Sequence, residues 1–225
     1  MTEIGKIRCK CGKVELCLPN PKPKFRCGCC CSDCLQRAFI GAQGKPPAAI
    51  AGQHEPIDLL YVDSLMLEPD AATKARLGVF RLNDPAGANI SLRALCCGAV
   101  LCTENQAFHT PHTMATFNNL APNVVCDFAS LPDLPFHLYT CDWSADHARN
   151  LAEEEANALG HARDQIPNPV EALEHPQVQA LISSFKIPPP VAAPQYITFQ
   201  TLREGMPMEL LHDYFEISHA RPGEG

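Results

Sequence analysis

Short apolar runs separated by glycine and proline dominate the N-terminal part of the chain. From Ile7 to Leu18 the sequence IRCKCGKVELCL alternates between apolar and polar residues on both sides of Gly12, which is typical of two strands joined by a turn. Further stretches with the character of strands are residues 48–67, 77–82 and 90–102. Many short strands with few helical periods predict a mainly β domain over residues 5–143.

Two segments of this domain are not predicted to be strands. Residues 35–44, LQRAFIGAQG, fit either a short helical turn or a loop. Residues 108–119, FHTPHTMATFNN, are predicted to be a loop. Its histidines, His109 and His112, are then either polar loop residues or side chains that line a pocket and assist acid–base chemistry.

From Ser144 onward the apolar residues recur at intervals of three and four, as in helices. Helices are predicted within residues 146–162, 170–185 and 205–217, and the proline-rich residues 187–194 form a stiff extended linker. Residues 144–225 are therefore predicted to be a helical, proline-containing C-terminal extension. It either packs on the β domain or serves as a partner-binding arm.

The number of cysteines and the absence of long apolar runs indicate the cellular compartment and the role of the thiols. The sequence has no run of about 18 apolar residues and no apolar leader at its N-terminus, which predicts a soluble, intracellular (cytoplasmic) protein without membrane association. Thiols stay reduced in that compartment. Thirteen cysteines, an odd number, therefore indicate metal ligation better than a disulfide framework.

The net charge of −7 is unevenly distributed. Residues 1–45 carry nine Lys or Arg and three acidic residues, so the cysteine-rich end is basic and the remainder is acidic. The acidic remainder argues against a general nucleic-acid partner. The basic end either consists of ordinary solvated lysines or stabilises thiolates and attracts an anionic ligand.

Ten of the cysteines form three clusters: Cys9 and Cys11; Cys27, Cys29, Cys30, Cys31 and Cys34; Cys96, Cys97 and Cys102. A structural zinc ion takes about four ligands at tetrahedral corners, and two sulfurs beside a glycine can supply half of such a shell. Three clusters predict at least one bound metal ion. The number of cysteines in them is enough for two separate sites, so two zinc ions are predicted.

The first predicted site combines Cys9 and Cys11 with Cys97 and either Cys96 or Cys102. The second uses Cys29, Cys31 and Cys34, and three ligands leave an open fourth position, as in catalytic zinc sites. An open position can take a substrate thiol and remove its proton. Cys27 and Cys30 are then bystanders or alternative ligands.

This pattern resembles the family of glutathione-dependent formaldehyde-activating enzymes and centromere protein V, whose signature is C-x-C-G, then C-x-C-x-x-C, then a late C-x-x-C-G. The matching residues are Cys9-Lys10-Cys11-Gly12 and Cys29-Cys30-Cys31-Ser32-Asp33-Cys34, within a resemblance over residues 5–120. The late motif departs from the signature, because Ala94 stands where the family has a cysteine and Cys96 is adjacent to Cys97. Adjacent ligands to one metal are expected to strain the backbone.

The resemblance implies a β-tent fold of small antiparallel sheets around zinc. It implies that Cys9, Cys11 and Cys97 hold a structural zinc and that Cys29, Cys31 and Cys34 hold a catalytic one. It also implies carbon–sulfur lyase chemistry on a glutathione or other small-thiol adduct, the family's reaction being the combination of glutathione with formaldehyde.

Other interpretations of the cysteines stay open. The protein could be a zinc-stabilised binding module without catalysis, Cys31 and Cys34 could form a redox pair, and an iron–sulfur cluster is a further option. Arg26 and Arg37 flank the middle cluster and could bind a substrate carboxylate, while Asp33 is expected to orient a loop amide. The sequence does not specify the oligomeric state.

Overall fold

The computed structural model describes residues 4–42, 56–105, 112–118, 124–132, 136–138, 164–166, 179, 182–183, 186 and 194–211. The strands with described bounds are β1 (Gly5–Cys9), β2 (Glu15–Leu18), β3 (Phe25–Cys29), β4 (Ile57–Asp63), β5 (Leu65–Leu67), β6 (Leu77–Leu82), β7 (Asn89–Ala94), β8 (Val100–Asn105), β9 (Thr113–Phe117), β10 (Val124–Asp127), β11 (Phe136–Leu138), β12 (Asp164–Ile166), β13 (Tyr196–Thr198) and β14 (Met208–Leu211). The helices are α1 (Ser32–Gly41), α2 (Ala71–Lys74) and α3 (Phe199–Arg203). The predicted mainly β fold with several sheets is confirmed.

The predicted N-terminal hairpin is present as β1 and β2, and β10 adds to it to give a small antiparallel sheet in the order β10-β1-β2. Its apolar positions alternate as expected, since Ile7, Leu16 and Leu18 are all fully buried. Cys9, two residues after Ile7, lies on this same buried face at the end of β1.

The largest sheet that the described residues form has nine strands in the order β12-β11-β3-β4-β9-β8-β7-β6-β14. Its centre is antiparallel, and parallel pairing occurs where β11 meets β3 and β12 and where β14 meets β6. Every residue of β4 is buried, so this central strand is covered on both faces. Strand β6 coincides with the strand predicted at residues 77–82.

The predicted loop at residues 108–119 is wrong for Thr113–Phe117, which form β9 between β4 and β8. The two threonines of β9, Thr113 and Thr116, made this segment look like a loop in the sequence, because they are polar although they are buried. Thr116 Oγ1 donates to the carbonyl oxygen of Leu101 (2.7 Å), and Lys24 Nζ donates to Thr113 Oγ1 (3.0 Å), so both hydroxyls are paired inside the protein.

Residues 35–44, which fitted a helical turn or a loop, belong as far as Gly41 to the ten-residue helix α1. The helix begins earlier than the apolar pattern indicated, at Ser32. Among the helices of the described residues, none has the length and apolar character needed to cross a membrane.

The C-terminal region contributes strands as well as a helix. Strand β13 pairs with β5, and β14 pairs with β6. The helix predicted within residues 205–217 is therefore wrong for Met208–Leu211, where pairing with β6 and an ion pair between Glu209 and Arg93 override the helical spacing. The other predicted helices, at 146–162 and over most of 170–185, and residues 187–193 of the linker lie outside the described residues. The division of the chain at residue 144 stays a prediction.

Helices α1 and α3 contact opposite faces of the large sheet. Arg37 of α1 donates from Nε to Ser91 Oγ (2.9 Å), and that hydroxyl shares a hydrogen bond with Thr103 of β8. Glu104 is the next residue along β8, so its side chain points to the other face. There it interacts electrostatically with Arg203 of α3. Strand β8 thus directs one side chain towards α1 and the next towards α3.

Helix α3 is expected to anchor the C-terminal segment through Phe199, which is fully buried. Replacing Phe199 with Ala should lower the free energy of unfolding by about 3–5 kcal/mol, because the cavity loses most of the ring's contacts. Urea unfolding would measure this. The control is Leu210→Ala on β14, a side chain that is 38% exposed and should change stability little. Equal effects of the two variants would contradict the anchoring role.

Glu104 should make stability depend on pH. Burial raises the pKa of Glu104 from its ordinary value of 4.5 to about 7, and Arg203 opposes this only in part. Between these values the folded state keeps a proton that the unfolded state releases, so this carboxyl's contribution to stability falls as pH rises from about 4.5 to about 7. The decline should be absent in Glu104→Gln and retained in Glu68→Gln, measured by urea midpoints across that range. An unchanged profile in Glu104→Gln would show that this carboxyl does not cause the decline.

Candidate metal centres

Four cysteines from two distant turns converge beside the small sheet. Cys9 ends β1, Cys11 follows in the turn to β2, and Cys96 and Cys97 lie in the turn between β7 and β8. Their four sulfur atoms all lie within 4.8 Å of one another. The Sγ–Sγ distances are 3.3 Å for Cys9–Cys11, 3.4 Å for Cys11–Cys96 and 3.9 Å for Cys9–Cys96. We call these residues the four-cysteine group.

Glycines shape both turns of this group. Gly12 and Gly98 each adopt φ of 75°, which a residue with a Cβ rarely tolerates. In the first turn the amide of Val14 donates to Cys9 Sγ (3.3 Å). In the second, the amide of Gly98 donates to the carbonyl oxygen of Ala94 (2.8 Å). The glycine after each cysteine pair thus lets the backbone curl so that both sulfurs face the same point.

Cys96 and Cys97 join the group without the backbone strain expected for adjacent ligands. Among the described residues, positive φ outside glycine is confined to Asn83 and His112. Of the two candidates for a fourth sulfur, the structure brings Cys96 into the group. Cys102 lies outside it, fully buried on β8.

The sulfur separations fit a metal better than a disulfide. A disulfide requires an S–S distance of about 2.05 Å, whereas four sulfurs at about 2.3 Å from a central zinc lie about 3.8 Å apart at tetrahedral corners. The distances of 3.3–3.9 Å are close to the tetrahedral value, and these cysteines are free thiols. The four-cysteine group can therefore hold a metal ion.

The pKa values of the thiols in the four-cysteine group are shifted in opposite directions. The backbone amide of Lys13, followed by the thiols of Cys9 and Cys96, lowers the pKa of Cys11 to about 7. Burial, followed by the hydrogen bond to Cys11, raises the pKa of Cys96 to about 12. Some of these thiols keep their protons in the absence of a cation, so binding of a metal would release them.

A second cluster, which we call the three-cysteine group, lies where β3 runs into α1. Cys29 is the last residue of β3, Cys31 is the N-cap of α1, and Cys34 is in its first turn. Their sulfurs lie within 4.8 Å of one another, and those of Cys29 and Cys31 are 3.2 Å apart. Cys29 is buried and the other two are half-buried. These residues too can hold a metal ion.

The start of α1 explains the spacing of this group. The Cys31 side chain accepts a hydrogen bond from the amide of Cys34 (3.4 Å), which caps the helix and draws the two residues together. Hydrogen bonds from Cys29 and Cys31 hold the pKa of Cys34 well below its usual range, and the positive charge of Arg37 adds to this. A helix N-terminus stabilises negative charge as well. The site therefore favours thiolate at Cys34.

The charged residues beside this group already have protein partners. Arg26 forms two hydrogen bonds to Asp58, at 2.9 and 2.7 Å. Arg37 is bound to Ser91 and, at 3.4 and 3.5 Å, to the carboxylate of Asp33. The carboxylate of Asp33 therefore faces Arg37, and the contact seen there is an ion pair rather than the expected bond to a loop amide. Ser91 was not predicted from sequence, since a buried serine in an apolar strand carries no motif.

The remaining cysteines lie outside both groups or outside the described residues. Cys27 is fully buried on β3, and burial strongly raises the pKa of its thiol. Cys30 is buried, and its amide donates to the carbonyl oxygen of Leu138 (2.9 Å). Cys126 Sγ donates to the carbonyl oxygen of Phe117, and Cys17 Sγ donates to Glu15. Cys141 is not among the described residues.

The two histidines singled out by sequence are not seen at either group. His109 lies outside the described residues. The backbone carbonyl of His112 accepts hydrogen bonds from Lys24 Nζ (3.3 Å) and the amide of Ser64 (2.9 Å). Lys24 also forms a buried ion pair with Asp63 at 2.7 Å, which sequence reasoning missed because an isolated lysine normally indicates surface.

No family model, curated protein or solved structure matches this chain. The resemblance to the formaldehyde-activating family therefore rests on the two cysteine motifs, and the fold and sites stand on their own geometry.

Substitutions should separate the two groups. Cys9→Ser removes a sulfur that joins the N-terminal hairpin to the β7–β8 turn, so it should lower the stability of the metal-loaded protein strongly. Cys34→Ser should reduce metal content by one equivalent with a smaller loss of stability, because Cys29, Cys31 and Cys34 are already close in sequence. Urea unfolding and metal analysis measure both effects. Cys17→Ser is the control. Equal destabilisation by the first two would contradict separate roles.

Proposed function

We propose that the protein binds two zinc ions, one structural and one with an open position that receives a small thiol adduct. The supporting observation is the unequal number of sulfurs that the described part of the chain places in the two groups, four in one and three in the other. Four thiolates complete a tetrahedral shell, whereas three leave one position for a substrate. Zinc is the metal proposed because tetrahedral all-sulfur sites suit it.

In this proposal the four-cysteine group stabilises the fold. It joins residues more than 80 positions apart, since Cys9 and Cys96 are separated by 87 residues and Cys11 and Cys96 by 85. A metal held there would tie the small sheet to the large one. Because no preformed site exists in the unfolded chain, its binding free energy contributes to folding.

The three-cysteine group is the proposed reactive site. Cys29 lies on a fixed strand, and Cys31 and Cys34 are fixed by the cap and first turn of α1, so the three sulfurs are preorganised. Cys31 and Cys34 are half-buried, so the group lies nearer the surface than the fully buried core. A zinc ion bound there would supply an electrophilic position that takes a thiol as its thiolate.

The reaction class follows from the family that the two motifs resemble. We propose carbon–sulfur lyase chemistry on an adduct of glutathione or another small thiol. Cys29, Cys31 and Cys34 hold the metal, and the amide end of α1 stabilises the negative charge that gathers at the site. Formaldehyde is the electrophile that the resemblance implies.

A zinc-stabilised binding module is the second candidate. It is favoured by the contacts of Arg26 and Arg37, which are bound to Asp58 and to Asp33 with Ser91. Neither arginine therefore presents the free guanidinium that would recognise a substrate carboxylate. A thiol that binds without turnover would fit this module.

Cobalt can report on the open position. Cobalt(II) in place of zinc should give sulfur-to-metal charge-transfer bands for two equivalents per chain, and glutathione should change the visible bands of one of them. S-methylglutathione, which has no thiol, is the matched control and should leave the spectrum unchanged. The response should also be absent in Cys34→Ser. No response to glutathione at millimolar concentration would contradict the open site.

The zinc-loaded protein then tests catalysis. The lyase proposal predicts that S-hydroxymethylglutathione forms from glutathione and formaldehyde faster than without protein, as followed by NMR, and that Cys34→Ser abolishes the increase. Thiol binding without any acceleration would select the binding module.

A further inference from the structure

Arg37 is a buried cation on the helix that supplies two of the three sulfurs. It is 3% exposed and lies one turn after Cys34 on α1, so the two side chains share a face of the helix. Its positive charge acts on the Cys34 thiol. An arginine cannot give up its proton in a protein, and its burial therefore calls for negative charge nearby.

The negative charge contributed by Asp33 is weak. The guanidinium nitrogens of Arg37 lie 3.4 and 3.5 Å from Asp33 Oδ2, at the long end of hydrogen bonding, and the Asp33 side chain is 46% exposed. Ion pairs with a solvated partner contribute little. The short contact of Arg37 is to the neutral hydroxyl of Ser91 at 2.9 Å, which orients the guanidinium without balancing its charge.

With a metal ion bound, the three-cysteine group has an excess of negative charge, whereas Arg37 has an excess of positive charge. Three thiolates more than offset the charge of a divalent cation, and a thiolate as fourth ligand adds to the excess. Negative charge that is partly shielded from water needs a nearby positive charge. The amide end of α1 provides part of it, and Arg37 is the charged side chain placed one turn further along.

We propose that Arg37 is the counter-charge of the three-cysteine group, a positioning residue that sets how tightly the group holds a metal and a thiolate ligand. The Ser91–Thr103 pair on the sheet fixes the guanidinium in that place. The inference rests on the proposed metal site, and it names Arg37 as the feature that allows an anionic fourth ligand there.

The experiment measures cobalt affinity at the three-cysteine group by competition with a chelator, using the bands that disappear in Cys34→Ser. Arg37→Gln removes the charge and should weaken this affinity about tenfold, the lower end of what outer groups contribute at metal sites. It should also weaken the glutathione response. Arg37→Lys keeps the charge and should restore most of the affinity.

Asp33→Asn is the decisive comparison. If Arg37 serves only as the ion-pair partner of Asp33, Arg37→Gln and Asp33→Asn should change the cobalt affinity equally. If Arg37 is the counter-charge of the cysteines, Asp33 and the cysteines compete for its positive charge. Asp33→Asn should then leave cobalt affinity unchanged or increase it. Arg26→Gln, which removes an arginine paired with Asp58 on the other face of β3, should not change the affinity.

The four-cysteine group serves as an internal control for folding, because its cobalt bands should persist in every variant. Equal affinity in Arg37→Gln and the native protein, or equal losses in Arg37→Gln and Asp33→Asn, would overturn the inference and leave the metal site standing. If the native protein binds only one equivalent of cobalt, the proposed function is wrong and the inference falls with it.

Discussion

The approach of four cysteine sulfurs from distant parts of the chain is the constraint on which the N-terminal half of the structure depends. Ionised thiolates repel one another, so sulfurs at 3.3–3.9 Å need either retained protons or a cation between them. Two glycine turns bring them together, one from the first hairpin and one from the β7–β8 connection. The four-cysteine group is consequently one of the places where the small sheet meets the large sheet, beside the shared apolar core and the hydrogen bond from Cys126 to Phe117.

The three-cysteine group is built on a different principle. Its sulfurs come from three residues within one six-residue segment, and local structure positions them: a strand ends at Cys29, and a helix begins after Cys31. The cysteine thiol takes the place of the usual serine or aspartate as helix cap. Cys31 Sγ accepts the capping hydrogen bond from the amide of Cys34 and lies 3.2 Å from Cys29 Sγ, so one atom belongs both to the start of α1 and to the group that could hold a metal ion.

The sequence predicted those features that depend on local pattern. The N-terminal hairpin follows from alternation around Gly12, strand β6 from a compact apolar run, and the choice of Cys29, Cys31 and Cys34 over Cys27 from spacing alone. Strands β9 and β14 were missed because their identity is set by neighbours. Thr113 and Thr116 read as polar until the residues that pair with them are known, and Met208–Leu211 becomes a strand only beside β6. The contact of Arg37 with Ser91 joins positions 54 apart, a distance over which the sequence carries no pairing signal.

The parallel pairing of β14 with β6 has a consequence for synthesis of the chain. Met208 lies opposite Val79, so one edge of the nine-stranded sheet is completed by residues that leave the ribosome long after the strands beside them. Until then β6 presents unpaired backbone amides and carbonyls, the arrangement that promotes edge-to-edge association between chains. A nascent or truncated chain that ends before residue 208 would thus expose an aggregation-prone edge, and the C-terminal segment acts as its intramolecular cover.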